Sequence, residues 1–432
     1  MNVLDKKVGF VSLGCDKNRV DLEKMIYSIR SAGFTIVNDP LDANIIIVNT
    51  CAFIKPARVE SINTILEMAN YKSINLEKLI VTGCINEMQY TDLNTSMPEV
   101  DAFVHVSDDK NIVSIIYGLY GQNVNVCEGV GRVLTTPSHT AYVKISEGCD
   151  NYCTYCKIPY IRGRFVSEKM EDVVREVTDL ASSGVKEIIL VAQDLTRYGE
   201  DLYNKPMLVP LIQKISQIDG VEWIKLLYCY PERITDELIE EIARNNKVCK
   251  YIDIPLQHVS DSVLKRMNRR STKATILDKI NKLRARVPNI VIRSTFIVGF
   301  PGETDEEYNE LIDFVAQQKL NYVGFFEYSK EEGTVAYKMQ NQIPAKIKKN
   351  RLNYLTSLQK QNTIEYNKSL ISKTLHCILD YVDNDMSYLR TSFQVPNADP
   401  FVLVHGKLDT NKDFYNVKIV SVNGYDLVGE IV

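Results

Sequence analysis

The run SEGCDNYCTYC brings Cys149, Cys153 and Cys156 into one short loop. Three thiolates so placed can hold three irons of a four-iron cluster, and the fourth iron is then without a protein ligand. An iron left open in this way can bind a substrate or cofactor. Structural zinc is the competing reading, but such sites take four ligands, usually in two pairs. No second C-x2-C or neighbouring histidine pair completes one here.

A second set of thiols is dispersed. Cys15 follows VSLG, Cys51 follows IIIVNT and Cys84 follows LIVTG. Each lies just past an apolar run that reads as a strand. In a doubly wound sheet the carboxyl ends of the strands share one edge, so three thiols distant in sequence can converge there. A second three-cysteine cluster, again with one open iron, is therefore expected from Cys15, Cys51 and Cys84. A buried free cysteine otherwise behaves as a small apolar group, which is the reading taken for Cys127, Cys229, Cys249 and Cys377.

The strands and helices around these thiols follow from hydrophobic periodicity. Residues 1–135 alternate short apolar strands with amphipathic stretches such as VDLEKMIYSIRSAG, whose Gly33 marks a helix stop. That alternation predicts a doubly wound parallel sheet with helices on both faces. LTTPSHT, at 134–140, breaks the rhythm and reads as a linker. Six strand–helix units follow, beginning with AYVKIS and ending with YVGFFEYS, short of the eight of a closed barrel; a partial (β/α)6 barrel is expected. A long polar helix from Ala345 and a small β-barrel of closely spaced strands complete an α/β chain, divided at 1–135, 136–365 and 366–432.

The 432 residues carry a formal charge of −4, which excludes the strongly basic body of a general nucleic-acid binder. No apolar run approaches the length of a membrane span, and no secretory pattern opens the chain. A cytoplasmic protein with free thiols is expected, with no membrane partner.

The tight triplet, with Tyr155 between its last two cysteines and six β/α units behind it, resembles the radical S-adenosylmethionine superfamily. Over the full chain the arrangement resembles the methylthiotransferases, whose three parts are a dispersed-cysteine domain, a radical S-adenosylmethionine domain and a TRAM barrel. The resemblance implies two [4Fe-4S] clusters and S-adenosylmethionine as cofactors. It also implies transfer of a methylthio group to an unactivated carbon, with a sulfur donor and an electron donor such as flavodoxin or ferredoxin as partners. By the same resemblance, Gln193 in VAQDLTRYG, Gln257 in IDIPLQH, Gly299 in FIVGFPGET and Tyr155 lie along the cofactor. The competing reading of GFPGET is a turn capped by Thr304 before a helix, and His258 reads as a hydrogen-bonded strand-end residue.

Within that family SLGCDKNRVD, AQDLTRYG and YIDIPLQHVSDSVLKRMNRRST resemble the branch that modifies an aspartate of ribosomal protein S-twelve, free or on the small subunit. Asp16 and Leu22 depart from the proline and serine more usual there. The barrel is acidic, with four basic and eight acidic residues from Thr374 onward, and suits a basic protein better than a phosphate backbone. The alternative is methylthiolation of transfer-RNA adenosine. A reading from another class is a non-catalytic iron–sulfur sensor or RNA-binding module. KRMNRRSTK, at 265–273, reads as a solvated helix end, or as a contact to ribosomal RNA.

Overall fold

The computed structural model describes residues 3–87, 93–124 and 131–432. Cys127 lies outside the described residues. The chain forms two compact units. One is Met1–Thr135 with Tyr142–Tyr152 and Cys156–Val166; the other is Thr136–Ala141, Cys153–Tyr155 and Ser167–Val432.

The first unit is built from β1 (Lys7–Ser12), α1 (Asp16–Ser31), β2 (Thr35–Val37), β3 (Ile45–Thr50), α2 (Lys55–Ala69), β4 (Lys78–Gly83), α3 (Leu93–Ser96), β5 (Ala102–Phe103) and α4 (Ile112–Leu119). Its strands pair in parallel in the order β2-β1-β3-β4-β5. Every residue of β3 is buried, which is why it reads as an unbroken apolar run. Alternate side chains serve opposite faces: Ile45 and Ile47 pack with Met25, Ile29 and Ile116 on one side, and Ile46 and Val48 with Ile65 and Met68 on the other. Helices therefore cover both faces.

One boundary differs from the sequence reading. The apolar pattern begins at Val20, but α1 begins at Asp16, with Cys15 in extended conformation at its N-cap. The first turn is polar, and no serine or threonine announces it. Its Asn18 is fully buried, so tertiary hydrogen bonds rather than an apolar stripe hold that turn.

Next in chain order come β6 (Thr140–Lys144), β7 (Ser146–Glu147), α5 (Ile158–Ile161), β8 (Val166–Ser167), α6 (Met170–Ser182), β9 (Glu187–Val191), α7 (Glu200–Tyr203), α8 (Leu208–Ser216), β10 (Trp223–Leu226) and α9 (Asp236–Arg244). They are followed by β11 (Val248–Gln257), α10 (Asp261–Arg266), α11 (Lys273–Arg286), β12 (Val291–Val298), α12 (Asp305–Gln318), β13 (Tyr322–Glu327) and α13 (Ala345–Lys368). Six of these strands form an open sheet, β13-β12-β11-β10-β9-β6, and β7 pairs with β8. The helix α13 is polar because it docks through hydrogen bonds: Gln359 donates to Leu320 O, Asn362 to Val315 O and Asn367 to Tyr425 O. The chain ends in β14 (Thr374–Asp383), β15 (Met386–Thr391), β16 (Val402–His405), β17 (Phe414–Asn423) and β18 (Asp426–Ile431), a closed barrel around Cys377, Leu389, Val402, Val417 and Leu427. Among the described residues no helix is long and apolar enough to cross a membrane.

A buried ionic lock fastens this barrel to Glu187, the first residue of β9, and to Lys225 of β10. Arg390 donates to Glu187 at 2.7 Å and to Asp380 at 2.5 Å, and Lys225 reaches Glu187 at 2.5 Å. Burial alone would raise the Glu187 carboxyl, but Arg390 and Lys225 hold it well below its ordinary range. Such a depressed carboxylate stabilises the fold at neutral pH, and its contribution fades as acidification protonates it. Arg390→Met should cost about 3–5 kcal/mol by leaving both carboxylates short of a partner. Urea unfolding of the full chain at pH 7 measures the loss, and the gap from the unchanged chain should narrow on acidification.

Candidate metal centre

Strands β1, β3 and β4 are adjacent, and their carboxyl ends lead into Cys15, Cys51 and Cys84. Parallel neighbours lie roughly 4.8 Å apart, so three adjacent strand ends span about 10 Å. Two glycines let the loops close. Gly14 has φ of +98°, and a Cβ there would sit 2.9 Å from Cys51 Cβ; Gly83 has φ of +89°, and a Cβ would sit 2.5 Å from Thr50 O. Only glycine fits either position without strain.

Polar side chains then fix the loops. Asn18 Nδ2 donates to Thr50 O at 2.8 Å and to Leu13 O at 3.3 Å, and Asn49 Nδ2 donates back to Asn18 O at 2.8 Å. Ser61, on α2, holds Cys51 by accepting from its N–H and donating to its carbonyl. The thiols grade from exposed Cys15 through half-buried Cys51 to buried Cys84. Burial pushes the Cys51 thiol up and Cys84 to about 11; Cys15 and Cys51 each add to the rise at Cys84, whereas the Arg162 guanidinium opposes it. No three histidine, cysteine or carboxylate groups among the described residues are drawn tightly enough around one point to enclose a single ion. Thiol-only donors at adjacent strand ends, with a buried cation beside them, fit an iron–sulfur cluster.

That cation was not anticipated. Arg162 follows α5, and its side chain is 2% exposed. Nη2 donates to Asn18 Oδ1 and, at 3.7 Å, to Cys84 Sγ. Nη1 donates to Asp21 at 2.8 Å and Glu147 at 3.2 Å, two carboxylates that Lys144 also pairs. The available signals were position alone, six residues after Cys156 for Arg162 and three after Cys15 for Asn18.

The tight triplet sits in the loop after β7. Gly148, with φ of +70°, lets the chain pass Arg164, whose carbonyl would be 2.1 Å from a Cβ. Cys149 N–H donates to Gly163 O, and Ile158 N–H donates to Cys156 Sγ at 3.4 Å. In the second unit, Thr154 is bound to Met267 O and Arg266 O, and buried Arg269 reaches Cys153 Sγ at 3.9 Å and Pro255 O at 2.9 Å. Arg269 also lies over the Tyr230 ring. Amide and guanidinium donors toward sulfur suit thiolate ligands of a cluster here as well.

At the carboxyl edge of the larger sheet, Gln193 follows β9 and Gln257 ends β11. Gln257 has φ of +70°, beside a register shift in the β11–β12 pairing; a bulge of this kind re-aims a side chain. Tyr155 packs with Val263, Met267, Phe300 and Tyr328, close to the end of β12. Gly299 has a packing reason of its own, since a Cβ there would lie 2.2 Å from Lys348 Cγ. Thr304 and Glu307 form a capping box at α12, as the turn reading of GFPGET expects. His258 is buried with Nδ1 accepting from Ser260 N–H, and burial pulls it down to about 3. In the basic run, Arg266 pairs with Glu307, Lys273 with Glu310, and Arg269 is buried, leaving Lys265 and Arg270 as its exposed charges. Cys229, Cys249 and Cys377 are buried, and burial pushes their thiols up.

Comparisons with known proteins follow the same division. Residues 143–315 match the model of the radical SAM superfamily, residues 7–105 that of the uncharacterized protein family UPF0004, and residues 371–432 that of the TRAM domain. The chain is 46% identical over 448 residues to a protein of Acetivibrio thermocellus named ribosomal protein uS12 methylthiotransferase RimO, covering 99% of each. A protein of the same name from Clostridium botulinum is 48% identical over 440 residues, with 98% of each covered. Among solved structures, the radical S-adenosylmethionine methyltransferase TsrM from Kitasatospora setae, with cobalamin and a [4Fe-4S] cluster bound, superposes with a TM-score of 0.58. Its identity is 12%, and the match covers 89% of this chain and 77% of that one, which is a likeness of fold.

Gly14→Ala tests the convergence. The methyl group meets Cys51 and the left-handed backbone is strained by about 1–2 kcal/mol, so the protein should fold but lose up to one cluster's iron. Iron and acid-labile sulfide after anaerobic reconstitution measure this.

Proposed function

The chain belongs to the RimO family of ribosomal protein uS12 methylthiotransferases, and we propose that it attaches a methylthio group to an aspartate side-chain carbon of that ribosomal protein. The observation that carries this reading is the meeting of Cys15, Cys51 and Cys84 at one sheet edge, in a chain that also holds the Cys149, Cys153 and Cys156 loop. When bound at a four-iron cluster here, S-adenosylmethionine would supply radical chemistry able to take hydrogen from an unactivated C–H bond.

The residues divide that work. Cys149, Cys153 and Cys156 would hold the radical-generating cluster, with Gln193, Gln257, Gly299 and Tyr155 lining the cofactor at the strand ends. Cys15, Cys51 and Cys84 would hold a second [4Fe-4S] cluster that presents the sulfur, and exposed Cys15 marks its accessible side. We assign these roles to 1–135 and 136–365, and substrate contact to 366–432. The barrel's outward charge supports a basic protein substrate, since the side chains of Asp380, Asp399 and Arg390 are buried against the neighbouring sheet. What remains is Asp383, Asp385, Asp409, Asp413, Asp426 and Glu430 against Lys407, Lys412 and Lys418. A cytoplasmic setting, an external sulfur donor and a flavodoxin- or ferredoxin-type electron donor complete the proposal.

Cys51→Ala should bring methylthio transfer to uS12 down to background while 5′-deoxyadenosine still forms, and Cys153→Ala should lose both. Mass spectrometry of uS12 and chromatography of the nucleoside read the two outcomes. Full methylthiolation by the Cys51→Ala protein would overturn the sulfur role. In cells lacking the gene, loss of a methylthio mass from a transfer-RNA nucleoside, with uS12 unchanged, would overturn the substrate.

A further inference from the structure

The buried ionic group around Arg162 is larger than loop closure requires. Asn18 and Ser61 already hold Cys51 and the neighbouring strand ends through neutral hydrogen bonds. Arg162, Lys144, Asp21 and Glu147 add two positive and two negative charges that the chain keeps together despite the cost of desolvating them. Within that balanced group one donor pair points away from the carboxylates. Arg162 Nη2 is directed at Asn18 Oδ1 and Cys84 Sγ, whereas Nη1 serves Asp21 and Glu147.

The chemistry of Cys84 decides what that direction means. As a thiol it donates to Asn18 Oδ1 at 3.7 Å. As a thiolate ligand it has no proton to give and becomes an acceptor. The donor in reach is then Arg162 Nη2, and a guanidinium to a thiolate is a charge-assisted bond. A lysine could not serve the same four partners, because a guanidinium holds its donors in a rigid planar fork.

We propose that Arg162 is a positioning residue of the dispersed-cysteine cluster, whose bond from Nη2 to Cys84 Sγ raises that cluster's reduction potential. The proposal rests on the two-cluster reading above. One-electron reduction adds a negative charge to the cluster, and no bond is made or broken. A fixed cation at a ligand sulfur favours the more negative state, because net charge and hydrogen bonds to sulfur set such potentials. Arg162 lies six residues beyond Cys156, with α5 between them, so one short segment supplies a ligand to one cluster and the cation to the other.

The test uses the full chain with Cys149, Cys153 and Cys156 all changed to Ala, so that only the dispersed site loads. Dithionite titration followed by electron paramagnetic resonance gives its midpoint potential. Arg162→Gln should move the midpoint to more negative values at unchanged iron content, and Arg162→Lys should recover part of the shift. An unmoved midpoint in a fully loaded Arg162→Gln protein overturns the assignment. Should Arg162→Gln not load, Asp21→Asn decides: relieving Arg162 of a counter-charge must move the midpoint to more positive values, and no movement or the opposite one overturns the proposal. A parent background that takes up no iron would instead remove the second cluster itself, and the assignment with it.

Discussion

Strands in a parallel sheet run the same way, so every chain segment that follows a strand leaves from the same edge. In the first unit this polarity turns three cysteines separated by whole strand–helix crossovers into neighbours on the adjacent strands β1, β3 and β4. In the second unit it gathers Gln193, Gln257 and the GFPGE turn on the edge opposite the barrel. The barrel is locked instead at Glu187, the first residue of β9, through Arg390, with Lys225 of β10 as the second cation.

Close approach of the loops carries a steric demand and an electrostatic one. The steric demand is met by removing atoms: Gly14, Gly83 and Gly148 each stand where a Cβ would collide with a neighbouring loop. The electrostatic demand arises because buried sulfur resists deprotonation, as the upward push on Cys51 and Cys84 records. Arg162 answers it, and is itself held by Asp21 and Glu147, because a lone buried guanidinium would be costly. The same rule governs the lock under the barrel, where Arg390 faces two carboxylates rather than one.

Much of this was legible in the residues. IIIVNTCAF reads as a buried parallel strand delivering a thiol, and β3 is buried at every position. The strand–helix alternation, the open six-stranded sheet and the closed terminal barrel follow from periodicity. The start of α1 was not legible, because Asp16, Lys17, Asn18 and Arg19 form a polar turn stabilised from outside the helix. Nor was the strained backbone of Gln257, which arises from a shift in pairing between β11 and β12.

Residue order alone singles out two sets of three thiols as candidates and shows on which elements they sit, because apolar periodicity and glycine placement are local properties. That Arg162 joins Asn18 and Cys84, and which charges of KRMNRRSTK reach the surface, emerges in the folded molecule alone. Those outcomes depend on contacts between residues far apart in the chain, whose charges must be paired once water is excluded. Position along a sequence does not encode which partner will be there.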